Sequence, residues 1–459
     1  MHRLVWTTVD WRTLTQHLKA AGHREEGAFL LVRAGRSASG ARLLVQKVLL
    51  PPAGGLEVQG PDSLRPSGRW LSSVIGAAVE AQCGLAFIHS HPGPDHPPKL
   101  SSIDWQTSLE WSKSITPMLD GPFASLVWSP KGLGGVLFKN PSPSTPILLD
   151  RAECLGDAAA EQLQYIEPRS ASDANLDDRQ IRALTALGNR RLRDFHVAVV
   201  GVGGTGSPLA EQLVRIGVSK ILLVDPDVLD DLSNLRRVVG SRRSDLGAPK
   251  AEIVGGYLSS LGLSTQVDVL SCDVRDENVM RRLLDCDFVM NTTDTQSSRT
   301  FLNQVAYQYW LPVIDVGVRV GTSLSGAVSG MPVEVRTLLP DNGCLWCRKG
   351  VLDSQTIYEE NLPTAERKRL AKEGYVQGLG EHQPSLAPLN YLASALSLLT
   401  AIRLYSGRPL PALSSIFDGW EQYVHPLRSD IDQACICSAW RGKADELPIA
   451  FPASTPIEP

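Results

Sequence analysis

The chain has 459 residues, enough for two or three domains. Apolar content of 43% and charged content of 20% are ordinary for a soluble globular protein. A net charge of -4 with no long basic run makes nucleic acid a poor default partner.

In chain order, the opening residues Met1 to Thr8 lack an apolar signal-peptide core, and no run is long enough to span a bilayer. Eight cysteines without a secretion signal point to a reducing compartment, so the cytoplasm is the expected location, with no membrane partner. Trp11 to Ala21 is predicted as a helix, Gly27 to Val32 and Arg42 to Leu49 as strands, and Leu71 to Gln82 as a second helix. The Glu25-Glu26 pair opens the first of these strands. Alternation aims the two acids at opposite faces, so only one can serve a given site.

An apolar run, Gly84 to Ile88, then leads into His89-Ser90-His91-Pro92. Alternation puts His89 and His91 on one face, and Pro92 and Pro94 break the strand. Ser101 and Asp104 stand three apart at a predicted helix start. Two imidazoles and a carboxylate suit Zn²⁺ and leave a fourth position for water, the mark of a hydrolytic rather than a structural site. The competing reading is a solvated Pro-rich turn.

This set, H-x-H-P followed by S-x-x-D, resembles the JAB/MPN (JAMM) metalloproteases, which cut after the C-terminal glycine of ubiquitin-like proteins. The loop holding Asp95 and His96 is slightly longer than is usual there. The resemblance implies His89, His91 and Asp104 as zinc ligands, with Ser101 steadying the water or the oxyanion. It implies an upstream glutamate as acid/base. Glu25 fits the family register better, and Glu26 stands as the alternate.

Ser125 to Trp128 and Gly135 to Phe138 are predicted as later strands. Pro141 to Pro146 reads as a boundary, and residues 147–174 as a polar, partly helical connector. The expected fold class is α/β: the JAB/MPN resemblance implies an α+β zinc-protease domain over 1–146, and the helix, strand, Gly-rich turn, helix and strand that follow predict a Rossmann-like domain over 175–459. No internal repeat is present. Leu392 to Ile402, broken by Ser394, Ser397 and Thr400, reads as a buried helix.

His196 to Val200 is a buried strand by its β-branched content. It enters Gly201-Val202-Gly203-Gly204-Thr205-Gly206 and a helix from Ser207 to Ile216. Such glycines let phosphate approach backbone N–H groups at a helix start. Ile221 to Asp225 is the next strand, its acid placed for a ribose hydroxyl. To that point NAD fits equally well.

Asp225-Pro226-Asp227, Ser233 to Arg237, Gly247 to Lys250 and Asn291 to Asp294 then follow in order. The ordered set, from about Asp178 to Cys437, resembles the ThiF/MoeB/ubiquitin-activating adenylyltransferases. The resemblance implies ATP and Mg²⁺ as cofactors. It places Gly201, Gly203, Gly204, Gly206, Asp225 and Asp227 at the nucleotide, Asn234, Arg237 and Lys250 on its phosphates, and Asp294 on the metal. Arg179, in Asp178-Arg179-Gln180-Ile181, matches an arginine that reaches a neighbouring subunit's ATP, which implies a homodimer. Arg237, Lys250 and Asp294 would be the catalytic groups. Read singly, Asp294 would be a helix cap and Arg236 and Arg237 surface charges.

Cys344-x-x-Cys347 and Cys435-x-Cys437 offer four thiolates for a structural zinc, although the family commonly has C-x-x-C twice. The competing reading is four reduced cysteines near a sheet end. The stretch Gln355 to Pro388, where activating enzymes carry a thioester cysteine, has none. Cys83 belongs to the first domain, Cys154 precedes the Gly-rich loop, and Cys272 and Cys286 read as buried. The thioester step is thus in doubt, with Ser385 as a remote oxyester site.

The expected function is processing and activation of a ubiquitin-like protein, by zinc-dependent cleavage and by ATP-dependent adenylation, beside a conjugating enzyme. Activation of a sulfur-carrier protein is the alternative. A non-enzymatic scaffold is a third reading.

Overall fold

Runs of β-branched and aromatic residues build two large sheets and two small two-stranded ones in the computed structural model. It describes residues 1–93, 98–140, 142–156, 161–162, 174–322, 328–372, 384–405, 412–428 and 430–449. Asp95 and His96 lie outside them. The chain divides into a first unit, Met1–Glu167 with Gly442–Leu447, and a second, Pro168–Arg441 with Pro448–Pro459.

The first unit holds β1 (His2–Thr7), α1 (Thr8–Ala20), β2 (Gly27–Arg36), β3 (Ala41–Leu49), β4 (Leu56–Gln59), β5 (Leu64–Pro66), α2 (Gly68–Glu80), β6 (Gly84–Ser90), α3 (Ser102–Ile115), β7 (Phe123–Ser129), β8 (Gly132–Lys139), β9 (Ser142–Leu148), β10 (Arg151–Leu155) and β11 (Glu161–Gln162). Nine of the strands form one sheet in the order β11-β10-β1-β3-β2-β6-β7-β8-β9, and β4 and β5 form a small hairpin. Each face of the large sheet buries its own apolar cluster. One centres on Trp6, Leu30 and Ile88. The other centres on Phe29, Trp70 and Phe123.

The expected boundary at Pro146 is corrected by this sheet. β9 runs through the Pro-rich stretch, and β10 pairs in parallel with β1. The Arg3 guanidinium on β1 bonds the Glu153 carboxylate on β10, and Arg42 lies 3.6 Å from the same carboxylate. All three are buried, so β10 belongs to the core and not to a polar connector.

The second unit begins with α4 (Ala174–Arg193), kinked at Thr185. It continues with β12 (His196–Val200), α5 (Gly206–Arg215), β13 (Lys220–Val224), α6 (Lys250–Ser260), β14 (Gln266–Leu270), α7 (Glu277–Leu283), β15 (Phe288–Asn291), α8 (Gln296–Gln308), β16 (Val313–Val318), β17 (Gly321–Thr322), β18 (Val328–Gly330), β19 (Pro332–Leu338), α9 (Ser354–Glu360), α10 (Thr364–Lys372), α11 (Ala387–Tyr405), β20 (Ser414–Asp418), β21 (Tyr423–Leu427) and α12 (Cys437–Trp440). Its main sheet runs β14-β13-β12-β15-β16-β19-β20-β21. The five strands from β14 to β16 are parallel, and the last three are antiparallel additions. The strand order reverses at β12, so a crevice opens beyond the carboxyl ends of β12 and β15, where doubly wound sheets bind ligands. No helix among the described residues is long and apolar enough to cross a membrane.

Candidate functional sites

In the first unit, β6 delivers His89 and the residue after its end delivers His91, while α3 delivers Asp104. His89 Nε2 lies 3.2 Å from Asp104 Oδ1, and His91 Nε2 lies 3.4 Å from Asp104 Oδ2. Ligands at zinc's usual bond lengths sit about 3.3–3.5 Å apart in a tetrahedron. Both ring nitrogens of His89 are buried without a well-aligned hydrogen bond to a described residue, which leaves the ring's one lone pair free for a metal. Burial pushes the Asp104 carboxyl up, but the two imidazoles outweigh it and hold it well below the usual carboxylate range. The set fits a zinc ion.

Asp104 also starts its helix. Its Oδ2 accepts from Ser101 N at 2.7 Å, and Ser101 Oγ accepts from Asp104 N at 3.2 Å, a reciprocal cap. Ser101 Oγ is thereby engaged at the helix end and keeps its own hydrogen to donate.

The two glutamates part as alternation requires. Glu25 Oε1 lies 3.9 Å from His91 Nε2. Burial raises its carboxyl above the ordinary value, against the pull of His89 and His91. Glu26 turns away: Oε1 accepts from Gly27 N at 3.0 Å and lies 3.3 Å from His17 Nε2, and Oε2 accepts from Gln59 Nε2 at 2.8 Å.

In the second unit the crevice is a cavity of about 1330 Å³. Gly201, Gly203, Gly204, Asp225, Asp227, Asn234, Arg237, Lys250 and Asp294 all line it. A Cβ on Gly206 would stand 1.8 Å from Gly201 O, so only glycine lets α5 start this close to β12. A Cβ on Gly203 would meet nothing within 4 Å, so that backbone faces open space. Asp225 is buried, which raises its carboxyl, while Val202 N and Asp227 N donate to it at 2.7 and 2.9 Å. Lys250 Nζ bonds Asp227 at 2.9 Å, and an Arg237 N–H bonds Asn234 Oδ1 at 2.8 Å.

Asp294 is exposed and does not cap α8. Glu360 of α9 does so, accepting from Gln296 N at 3.1 Å and from Ser297 N at 2.7 Å. Asp294 is thus left as a carboxylate with no bond to a described residue, which suits a divalent cation.

Arg179 stands exposed on α4 and does not line the cavity. Ser385 does line it and accepts from Asn390 Nδ2 at 3.1 Å. The Arg299–Asp315–Arg336 cluster escaped the sequence reading. Asp315 is fully buried and bonds Arg299 at 3.0 Å and Arg336 at 2.7 Å. Arg299 also donates to Thr293 O at 2.9 Å, clasping the strap that carries Asp294. No linear signal marks this cluster, since its members come from α8, β16 and β19.

The Cys344, Cys347, Cys435 and Cys437 sulfurs all lie within 4.8 Å of one another. Cys344–Cys435 and Cys347–Cys437 are each 3.6 Å apart, against about 3.8 Å across a tetrahedral zinc–thiolate site. The Cys437 thiol bonds Cys344 and holds it down at about 5. Burial pushes Cys435 up to about 11, and Cys344 raises Cys437. Four sulfurs at these separations are a donor set that fits a metal, and the C-x-C spacing closes it. Cys272 corrects the expectation of burial: it is exposed, just past β14, while Cys83, Cys154 and Cys286 are buried.

The chain matches the ThiF family over residues 177–437. It is 31% identical over 160 residues to the SAMP-activating enzyme E1 of Haloferax volcanii, across 35% of this chain and 55% of that protein. It is 26% identical over 235 residues to the sulfur carrier protein ThiS adenylyltransferase of Escherichia coli, across 50% of this chain and 81% of that protein. The chain thus spans about half the length of the first relative. Among solved structures, E. coli MccB aligns with a TM-score of 0.45 at 15% identity, across 89% of this chain and 96% of that one.

Proposed function

The chain belongs to the ThiF family, and on that premise we propose that its second unit adenylates the C-terminal carboxylate of a small carrier protein of the ubiquitin-like or sulfur-carrier kind. The observation that carries this reading is one cavity lined by the Gly-rich turn, Asp225, Asn234, Arg237, Lys250 and Asp294 together. A carrier carboxylate is already ionised at neutral pH, so no base is required. Its oxygen attacks the α-phosphorus, the α–β anhydride bond breaks, and pyrophosphate leaves with the electron pair.

The obstacle is bringing one anion to another. Lys250 and Arg237 offset the charge that develops on the phosphates, and Asp294 would hold Mg²⁺ against them. Arg179, exposed on α4, is assigned to the ATP of a second copy in a homodimer. The names of the relatives favour a sulfur carrier, whose adenylate would go on to a thiocarboxylate. Conjugation through a partner enzyme is the second outcome.

The test is ATP–pyrophosphate exchange with ThiS-type and ubiquitin-like proteins ending in glycine. Exchange that depends on such a protein supports the reading; NAD binding without exchange would sink it. Trapping the released carrier and weighing it separates thiocarboxylate from conjugate.

For the first unit the reading is a JAB/MPN-type zinc hydrolase, supported by the convergence of His89, His91, Asp104 and Glu25 on one point. Zinc held by the first three would supply an acidified water. Glu25, whose carboxyl burial raises, would carry the proton from that water to the leaving amine. Cleavage of a carrier fused through its C-terminal glycine, stopped by a chelator and restored by zinc, is the check. The four cysteines are assigned to a structural zinc.

A further inference from the structure

α9 and α10 lie in the crossover segment, the cysteine-free stretch from Gln355 to Pro388, of which residues 355–372 and 384–388 are described, and α9 is fastened to the nucleotide cavity at both ends. Glu360, its last residue, binds the first N–H groups of α8, two and three positions past Asp294, and accepts from Ser297 Oγ at 2.6 Å. Asp353, which caps α9 through Thr356 N at 2.7 Å, donates its own N–H to Gln296 Oε1 at 2.6 Å. Arg275 adds a bond to Asn361 Oδ1 at 2.7 Å.

α10 begins four residues after Glu360, and Arg367 on it lines the same cavity. Its Nε is buried and has no hydrogen-bond partner among the described residues. Three other cations of the cavity lining are already paired with carboxylates: Lys250 with Asp227, Arg275 with Asp273, Arg299 with Asp315. A buried guanidinium N–H without an acceptor is costly and is tolerated where a ligand completes it.

We propose that Arg367 is a nucleotide-binding residue, its guanidinium donating to a phosphate oxygen of ATP from a crossover segment that Glu360 fastens beside Asp294. A planar fork of N–H donors matches phosphate geometry, and the charge adds strength to each bond. The inference rests on the adenylation reading. It gives the cysteine-free crossover segment a part in the first half-reaction.

The test is calorimetric titration of the full chain with ATP and with AMP in the presence of Mg²⁺, for the wild type, Arg367→Ala and Arg367→Lys. Arg367→Ala should weaken ATP binding about tenfold or more, the loss of a charge-assisted bond. Arg367→Lys keeps the charge but loses the fork, and should fall between. A deficit shared by AMP puts the contact on the α-phosphate, and one confined to ATP puts it on the outer phosphates. Unchanged ATP affinity in Arg367→Ala would overturn the proposal. Should that variant fail to fold, wild-type affinity in Arg367→Lys overturns it instead. A wild-type chain that binds no ATP at all fails the adenylation reading itself, and this inference with it.

Discussion

At the scale of single residues, neighbours with the same chemistry are assigned opposite work by one peptide's rotation. Glu25 faces His91 and Glu26 faces Gln59 and His17. Glu25→Gln is therefore expected to abolish hydrolysis of a carrier fusion while bound zinc, measured by emission spectrometry, stays unchanged. Glu26→Gln should keep activity and lose thermal stability. Inactivity in Glu26→Gln with activity in Glu25→Gln would reverse the assignment. In the second unit, Lys250→Ala leaves Asp227 unpaired and removes a cation from the phosphates. Pyrophosphate exchange should fall at least about a hundredfold, roughly 3 kcal/mol of transition-state stabilisation. An exchange rate within a factor of a few of wild type would remove Lys250 from the site.

At the scale of elements, what reads clearly in the chain is what one short segment encodes. β12 is expected and found at His196 to Val200, with the helix after the Gly-rich turn within one residue of its expected ends. The H-x-H and S-x-x-D pairs are local too, so strand and helix carry them to one point. What cannot be read is whatever needs distant partners. β10 looks polar because Arg151 and Glu153 punctuate it, and its burial depends on Arg3, some 150 positions earlier. Cys272 looks like a strand-end core residue, yet β14 is a sheet edge and leaves it exposed. Glu360 as the cap of α8 was likewise invisible. The Gly-rich turn offers a test at this scale. Gly206→Ala drives a methyl into Gly201 O and should lower the melting temperature by several degrees. Gly203→Ala meets nothing, so it should melt like the wild type and still bind ATP less tightly, because its methyl occupies the space for phosphate. Equal ATP affinity in Gly203→Ala and wild type would place the nucleotide elsewhere.

For the molecule as a whole, two donor sets imply about two zinc ions per chain. His89→Ala with His91→Ala should bring the measured content to about one, and Cys344→Ser with Cys347→Ser should remove the other and destabilise the second unit. A double histidine variant with undiminished zinc would show that the first set binds none. Acid should weaken the second unit through its carboxylates. Burial raises Asp273, but the Arg275 guanidinium and N–H outweigh it; Lys220 does the same for the partly buried Asp268. Both are held below their ordinary 3.8, so their stabilisation is present above that pH and drains away as pH falls through the folded values. The deficit in melting temperature of Asp273→Asn relative to wild type should therefore be largest near neutrality and close below about pH 4. A deficit independent of pH would mean that the pair contributes nothing through its charge. The nine-stranded sheet has one more consequence. β1 lies inside it, between β3 and β10, with parallel ladders on both sides. A ribosome therefore releases β1 long before its second neighbour exists. Until residue 155 emerges, Arg3 has no Glu153 and one strand edge of β1 stands open. β1 thus gains its second neighbour late, and the nascent chain carries an exposed β edge through that interval, a window in which a chaperone that shields strand edges would matter most.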